Sequence, residues 1–220
     1  SACLIIPAWF FVRSYLTDNQ SLSKKNNELI RFKRNYNVYQ FLEKPLKVSS
    51  DRLISRGIEL GNNQNPITVT LIVSPSCGHC HTAFEEALNM YHLNSSKIRL
   101  VIFYNLNLAN KNNPTLKIAL NTLALYAEQP DDIVQVLSDW HIKKIGIEPW
   151  MEKWGRDNTD IHLENDLLNQ YMWCEENGFN YTPVKIINDC EMPKEYTLEE
   201  MKFFISEMED LGSKEPLIVD

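Results

Sequence analysis

Cys77-Gly78-His79-Cys80 sets two thiols three positions apart, close enough for one helical turn to bring the sulfurs together. The chemistry open to such a pair is thiol–disulfide exchange, and it needs a thiolate, because the neutral thiol is a poor nucleophile. The flanking residues supply the means. Upstream, Ile67-Thr68-Val69-Thr70-Leu71-Ile72-Val73 is a β-branched, apolar run of strand length. Downstream, Thr82 to Met90 predicts a helix, with Phe84, Ala87, Leu88 and Tyr91 near helical spacing. A CxxC at this hand-over puts Cys77 at a helix N-terminus, where unpaired N–H groups and the helix dipole favour an anion. Holding the thiolate two pH units below the free value of about 8.5 corresponds to ~2.7 kcal/mol, which helix N–H groups and a nearby His79 can supply. Cys77 is thus expected to attack, and Cys80, one turn inside the helix, to resolve the mixed disulfide.

Two other chemistries share these residues. Cys77 to His81 also matches C-x-x-C-H, the c-type haem attachment pattern, with Met90, Met151 or Met172 as axial candidates. Haem attachment, however, does not call for a preceding strand. Cys77, Cys80 and His81 offer three zinc ligands, but no second CxxC or HxxxH provides a fourth. No metal and no cofactor is therefore expected. A structural, idle CxxC is the remaining alternative. Cys3 reads as a buried free thiol. Cys174 and Cys190 are compatible with a disulfide or with two buried thiols, since sequence does not give their separation. His92, His141 and His162 have no motif around them. Trp140, Trp150, Trp154 and Trp173 are expected to pack a helical core.

The elements that must position the pair read in order. Ile58-Glu59-Leu60 fits a short edge strand, and Gly61 to Pro66 a turn cluster before the central strand. Ile98 to Tyr104 is a second strand, and one helix between two strands implies parallel pairing. Pro114 to about Asn177 reads as helical, in segments Thr115–Glu128, Asp131–Trp140, Glu148–Trp154 and Leu163–Asn177. Val184 to Ile187 is a strand, and Asp189 to Lys194 a turn or short strand. Thr197-Leu198-Glu199-Glu200 fits a capping box opening a last helix to Met208.

With 220 residues the chain can bury one substantial core, and 44% hydrophobic with 23% charged residues is ordinary for a globular protein. The net charge of −7 is uneven: residues 24–47 carry +5, and residues 48–220 carry −12. An acidic main body repels phosphates, so no nucleic-acid partner is expected. The apolar start, Ala2 to Val12, ends at Arg13 and is shorter than the ~20 residues that span a bilayer. It reads as the end of a transmembrane helix, with Trp9 and Arg13 at the interface, or as an apolar strand or helix packing on the core. Leu22 to Leu42, carrying Leu29, Phe32, Tyr36 and Tyr39, predicts a weakly amphipathic helix. The expected organisation is a membrane-helix end at 1–16, a basic helical linker at 17–57, an α/β domain at 58–209 with a helical insertion at about 114–177, and a tail at 210–220.

The order strand, CxxC helix, strand, helical block, strand, helix resembles a thioredoxin fold with a helical insertion, the DsbA-like arrangement. Two anchors carry the resemblance: Ser74-Pro75-Ser76-Cys77-Gly78-His79-Cys80, and Tyr181-Thr182-Pro183 before Val184. The resemblance implies a cis Pro183 whose loop faces the CxxC, with Thr182 and Pro183 offering backbone to an extended protein or peptide thiol substrate. The Gly-His pair is similar to that of protein disulfide isomerase, which implies an oxidising couple, on the order of −200 to −120 mV. One departure stands out. Thioredoxins and many relatives carry a buried acid six residues before the first Cys, and here that residue is Leu71. Proton traffic then falls to water, His79, His81 or Glu85.

Asn35 to Pro66, Trp173 to Asn177 and Met192 to Tyr196 resemble a narrower group, thioredoxin domains fused behind a membrane vitamin K epoxide reductase-like module. Pro7-Ala8-Trp9-Phe10 would close that module's last helix. This resemblance implies an extracytoplasmic or periplasmic site, tethered to the inner membrane, with a quinone-linked module reoxidising the CxxC. The basic residues after position 23 run against that topology, since Lys and Arg beyond a span mark the cytoplasmic side. An extracytoplasmic reductase and a thiol-dependent binding or chaperone-like module are the alternative functions.

Overall fold

A computed structural model describes residues 2–54, 56–110, 113–156 and 161–212; the side chains of 2–8, 10–11, 52, 54, 161 and 211–212 lie outside the description, and with them Cys3. Two compact units divide the chain, residues 1–42 and 43–220.

The first unit is helical. Helix α1, Ala2–Lys33, is continuous through the apolar start and the basic segment, and α2 covers Tyr36–Leu42. The sequence reading expects one helix from Leu22 to Leu42; the chain breaks instead at Asn35. There the side-chain oxygen accepts from the Asn37 N–H at 3.0 Å, and the Asn35 carbonyl takes up the Val38 and Tyr39 N–H groups. An Asn that bonds the backbone two residues on ends one helix and caps the next. Leu22, Leu29 and Phe32 are all exposed. Among the described residues no helix is long and apolar enough to cross a membrane.

The second unit is a mixed six-stranded sheet packed between helices. Its strands are β1 Lys44–Pro45, β2 Ile58–Leu60, β3 Ile67–Val73, β4 Ile98–Tyr104, β5 Val184–Ile187 and β6 Cys190–Glu191, in the spatial order β1-β6-β5-β3-β4-β2. Strands β3 and β4 pair in parallel, from Ile67 opposite Ile98 to Val73 opposite Tyr104; every other pairing is antiparallel. Parallel pairing requires a crossover, and α4, Gly78–Leu93, provides it. Burial on both faces explains why β3 and β4 read as unbroken apolar runs rather than alternating ones.

The helical insertion between β4 and β5 contains α5 Leu116–Glu128, a 3₁₀ turn at Pro130–Asp132, α6 Ile133–His141, α7 Ile147–Trp154 and α8 Ile161–Asn177. Trp140 and Trp150 meet edge to face at 6.3 Å in its core, as expected of them. Buried Asp139 ties α6 to α7, accepting from Gln135, Lys143, Lys153 and Trp154. Leu53, Ile72, Phe103, Trp173, Cys174, Phe179 and Val184 form a core cluster. The capping box at Thr197 is present, with the Thr197 Oγ accepting from Glu200 N–H and the Glu200 carboxylate from Thr197 N–H. What it opens differs from the expected single helix: a 3₁₀ segment Leu198–Phe203, then α9 Ile205–Gly212. A short helix α3, Asp51–Ile54, precedes β2.

Candidate active site

Strand β3 ends at Val73, and Ser74-Pro75-Ser76 turns the chain so that Cys77 becomes the N-cap of α4, with extended backbone at φ −89° and ψ 114°. The Cys77 N–H closes this turn on Ser74 O at 3.0 Å. No side chain caps α4, so its first N–H groups face the sulfur region. As a thiol, Cys77 donates to the Thr182 carbonyl at 3.3 Å. Burial raises the Cys77 pKa, but the Cys80 thiol, the Thr182 side chain and the N–H groups of Cys80 and His79 together outweigh it. The net direction is below the ordinary thiol value.

Cys80 differs in every respect. It is fully buried, and burial together with Cys77 beside it pushes its thiol up to about 12. One sulfur is thus half-exposed and favoured as an anion; the other is enclosed and favoured as a thiol. Thr182 and Pro183, half-buried, come from the loop before β5, a hundred residues further along the chain, and the bond between them is cis. His79 is exposed, and it is its backbone N–H that reaches Cys77. Leu71 is fully buried in β3, between Ile102 of β4 and Lys185 of β5 in register.

Two residues without a sequence signal join the site. Trp140 donates from Nε1 to Pro75 O at 3.1 Å, two residues before Cys77. His141 Nδ1 lies 3.2 Å from Nδ1 of His81, the residue after Cys80. Both come from the end of α6, and no spacing in the sequence links them to the CxxC. Cys174 and Cys190 are free thiols, Cys174 buried as expected and Cys190 half-exposed rather than buried. Among the described residues no group of three or more His, Cys, Asp or Glu could hold a metal ion.

No family model and no curated protein matches the chain. Solved structures do. A structure of Proteus mirabilis ScsC in a transitional conformation superposes with a TM-score of 0.62 at 14% identity, over 96% of this chain and 99% of that one. A periplasmic thioredoxin-like protein from Salmonella enterica serovar Typhimurium gives 0.61 at 14%, over 74% and 99%. The thiol-disulfide exchange protein alpha-DsbA2 from Wolbachia pipientis gives 0.56 at 19%, over 72% and 91%. On these likenesses the chain has an α/β, DsbA-like thioredoxin fold built on a mixed sheet.

Proposed function

We propose that this chain is a thiol–disulfide oxidoreductase acting on protein or peptide thiols through Cys77 and Cys80. The observation that carries the reading is the asymmetry of the pair: Cys77 at the open N-terminus of α4 under the Thr182 carbonyl, Cys80 enclosed. In the oxidising direction a substrate thiolate attacks Cys77 in the Cys77–Cys80 disulfide, and Cys80 leaves and takes up a proton. A second substrate thiol, once deprotonated, attacks the mixed disulfide and releases Cys77 as the thiolate. Two electrons pass to the pair, and the substrate gains a disulfide. Exposed His79 stands at the mouth of the site, and Thr182 and Pro183 present the backbone beside which the substrate lies.

The proposal extends to organisation. Residues 43–209 form the catalytic body, since Lys44–Pro45 pairs with β6 and Leu53 joins the core cluster, so the linker expected at 17–57 narrows to 17–42. Residues 1–16 are the end of a membrane helix, and of the tail at 210–220 residues 213–220 lie outside the described residues. An extracytoplasmic location is supported by the periplasmic thioredoxin-like neighbour, and reoxidation by a membrane quinone-linked module by the resemblance of Asn35–Pro66 and Trp173–Asn177. A glutathione redox titration with alkylation and mass detection tests the reading. A reversible two-thiol transition at Cys77 and Cys80 near or above about −200 mV is expected for an oxidant. A midpoint near about −270 mV makes the protein a reductase, and failure to titrate removes the reading altogether.

A further inference from the structure

His81 and His141 form a couple that the exchange reaction, as described, does not use. Their Nδ1 atoms are 3.2 Å apart, so one hydrogen lies between them. Its owner follows from the far side of His141. That ring is 1% exposed and stacks on Phe84 at 4.8 Å, and its Nε2 has no hydrogen-bond partner among the described residues. A neutral imidazole carries one hydrogen. Nε2 goes unpartnered in either tautomer, as a buried donor if it carries the hydrogen and as a bare lone pair if it does not, and a buried N–H without an acceptor is the worse of the two. Orphaned buried N–H groups are rare for that reason. The hydrogen therefore sits on Nδ1 of His141 and is donated to Nδ1 of His81. His81 in turn carries its own hydrogen on Nε2. A second proton on His81 must arrive at Nδ1, the atom already accepting. It then breaks the bond or forces His141 into its costlier tautomer.

His81 lies four residues after Cys77, about one helical turn along α4. An imidazolium there stabilises the Cys77 thiolate and makes the couple more oxidising as the solution is acidified. We propose that His141 is a positioning residue for the disulfide chemistry, holding His81 as a neutral, Nε2-protonated imidazole so that acidification does not place a cation one helical turn from the attacking cysteine. The inference rests on the exchange reading above. Trp140 fixes the register, because its bond to Pro75 O and the His141 bond grip the CxxC turn at both ends. Burial and the nearby charge of Lys144 hold His81 below the ordinary imidazole range, and burial beside His81 pushes His141 down to about 3. The other titratable groups of the surroundings are Cys77 and Glu85, one turn either side of His81 on α4. On α6, Asp139 is engaged by Lys143, Lys153, Gln135 and Trp154, and Glu86 on α4 faces Lys185 of β5.

The test is ¹⁵N histidine NMR of the reduced full chain between about pH 5 and 8, with the Cys77 alkylation rate over the same range. Wild type is expected to show His81 neutral with hydrogen on Nε2 throughout, and alkylation following a single ionisation. His141→Phe fits the apolar pocket but removes the donor. His81 then takes up a proton at higher pH than in wild type, and alkylation at about pH 5.5 rises roughly three- to tenfold over wild type while the rates at pH 8 agree. His141→Asn restores a donor and returns the single-step curve. A purely structural role for His141 ranks these variants the other way, since Phe suits the pocket better than Asn. A wild-type His81 with hydrogen on Nδ1 overturns the proposal, as do matching His81 titrations or matching alkylation curves for wild type and His141→Phe. If Cys77 exchanges no disulfide in any form, the oxidoreductase reading fails, and the NMR tautomer still decides the role of His141.

Discussion

Cys77 and Cys174 occupy opposite poles of two helices. Cys77 caps the N-terminus of α4, where unpaired N–H groups gather; Cys174 lies in the last turn of α8, among outward-facing carbonyls. Cys77 keeps access to solvent and its pKa is lowered. Cys174 is sealed among Leu53, Trp173 and Phe179, and burial with Glu175 beside it pushes its thiol up to about 12. Cys190 adds a third case, half-exposed like Cys77 but set against the Glu43 and Asp189 carboxylates, with its thiol raised to about 11 by burial and those charges. Exposure alone therefore does not make a thiol reactive. Burial and the local field decide together, and they separate three residues of identical chemistry.

The largest expected effect tests that separation directly. At pH 7 a thiol of pKa about 11 is ionised in about one part in ten thousand, whereas one below 9 exceeds about one part in a hundred. Limited iodoacetamide followed by peptide mapping should modify Cys77 at least about a hundredfold faster than Cys190, with Cys174 untouched until the protein unfolds. Cys77→Ser should abolish disulfide exchange while leaving the slow modification of Cys190 unchanged. Comparable rates at Cys77 and Cys190 would erase the distinction. The pH dependence carries the same sign: raising pH from 7 to 9 should increase the Cys190 rate about a hundredfold, whereas the Cys77 rate, with its pKa lower, should rise less.

Thr182→Val sharpens the comparison from the side of the reactive thiol. It keeps the shape of Thr182 and its carbonyl but removes the hydroxyl that helps lower the Cys77 pKa. Alkylation of Cys77 at pH 7 should slow roughly three- to tenfold, with the difference shrinking as pH rises and the thiolate forms without help. A slowing that persists at high pH would mean that Thr182 governs access rather than ionisation.

Much of this contrast was legible in the sequence, and the illegible part has a common cause. The four main strands, β2 to β5, show as apolar runs with turn residues around them, and their bounds fall where composition changes. The CxxC and Thr182-Pro183 are local patterns whose contexts, strand to helix and loop to strand, are local too. Trp140 and His141 carry no such signal, because their partners Pro75 and His81 lie about sixty residues away and only the docking of α6 on α4 joins them. Strand β1 is two residues long and is defined only by pairing with β6, so no periodicity betrays it. The electrostatic setting of Cys190 likewise depends on Glu43, brought across the chain by that same edge pairing.

Glu43→Gln sharpens the other side. Burial is the largest influence on Cys190, and the Glu43 charge is the next. Removing that charge while keeping an acceptor should speed Cys190 alkylation at pH 7 about threefold and leave Cys77 within about twofold. An unchanged Cys190 would assign its inertness to burial alone, and the comparison would then rest on solvation rather than on neighbouring carboxylates.

The smallest expected effect concerns the residue between the two sulfurs. A Cβ on Gly78 would meet nothing within 4 Å, so space does not demand a glycine. Gly78 is also the first residue of α4, where alanine is the better helix former. Gly78→Ala should therefore raise stability by about 0.5 kcal/mol, a Tm gain of roughly 1–2 °C. The N–H groups that reach Cys77 belong to His79 and Cys80 and stay in place, so alkylation by a small reagent should change less than about twofold. Exchange with a folded protein thiol is the sharper readout. If that step slows many-fold while iodoacetamide reacts as before, the open space over Gly78 is where the substrate backbone passes. If both rates hold, the substrate backbone does not pass over Gly78, and the helix N-terminus acts on Cys77 without any contribution from that open space.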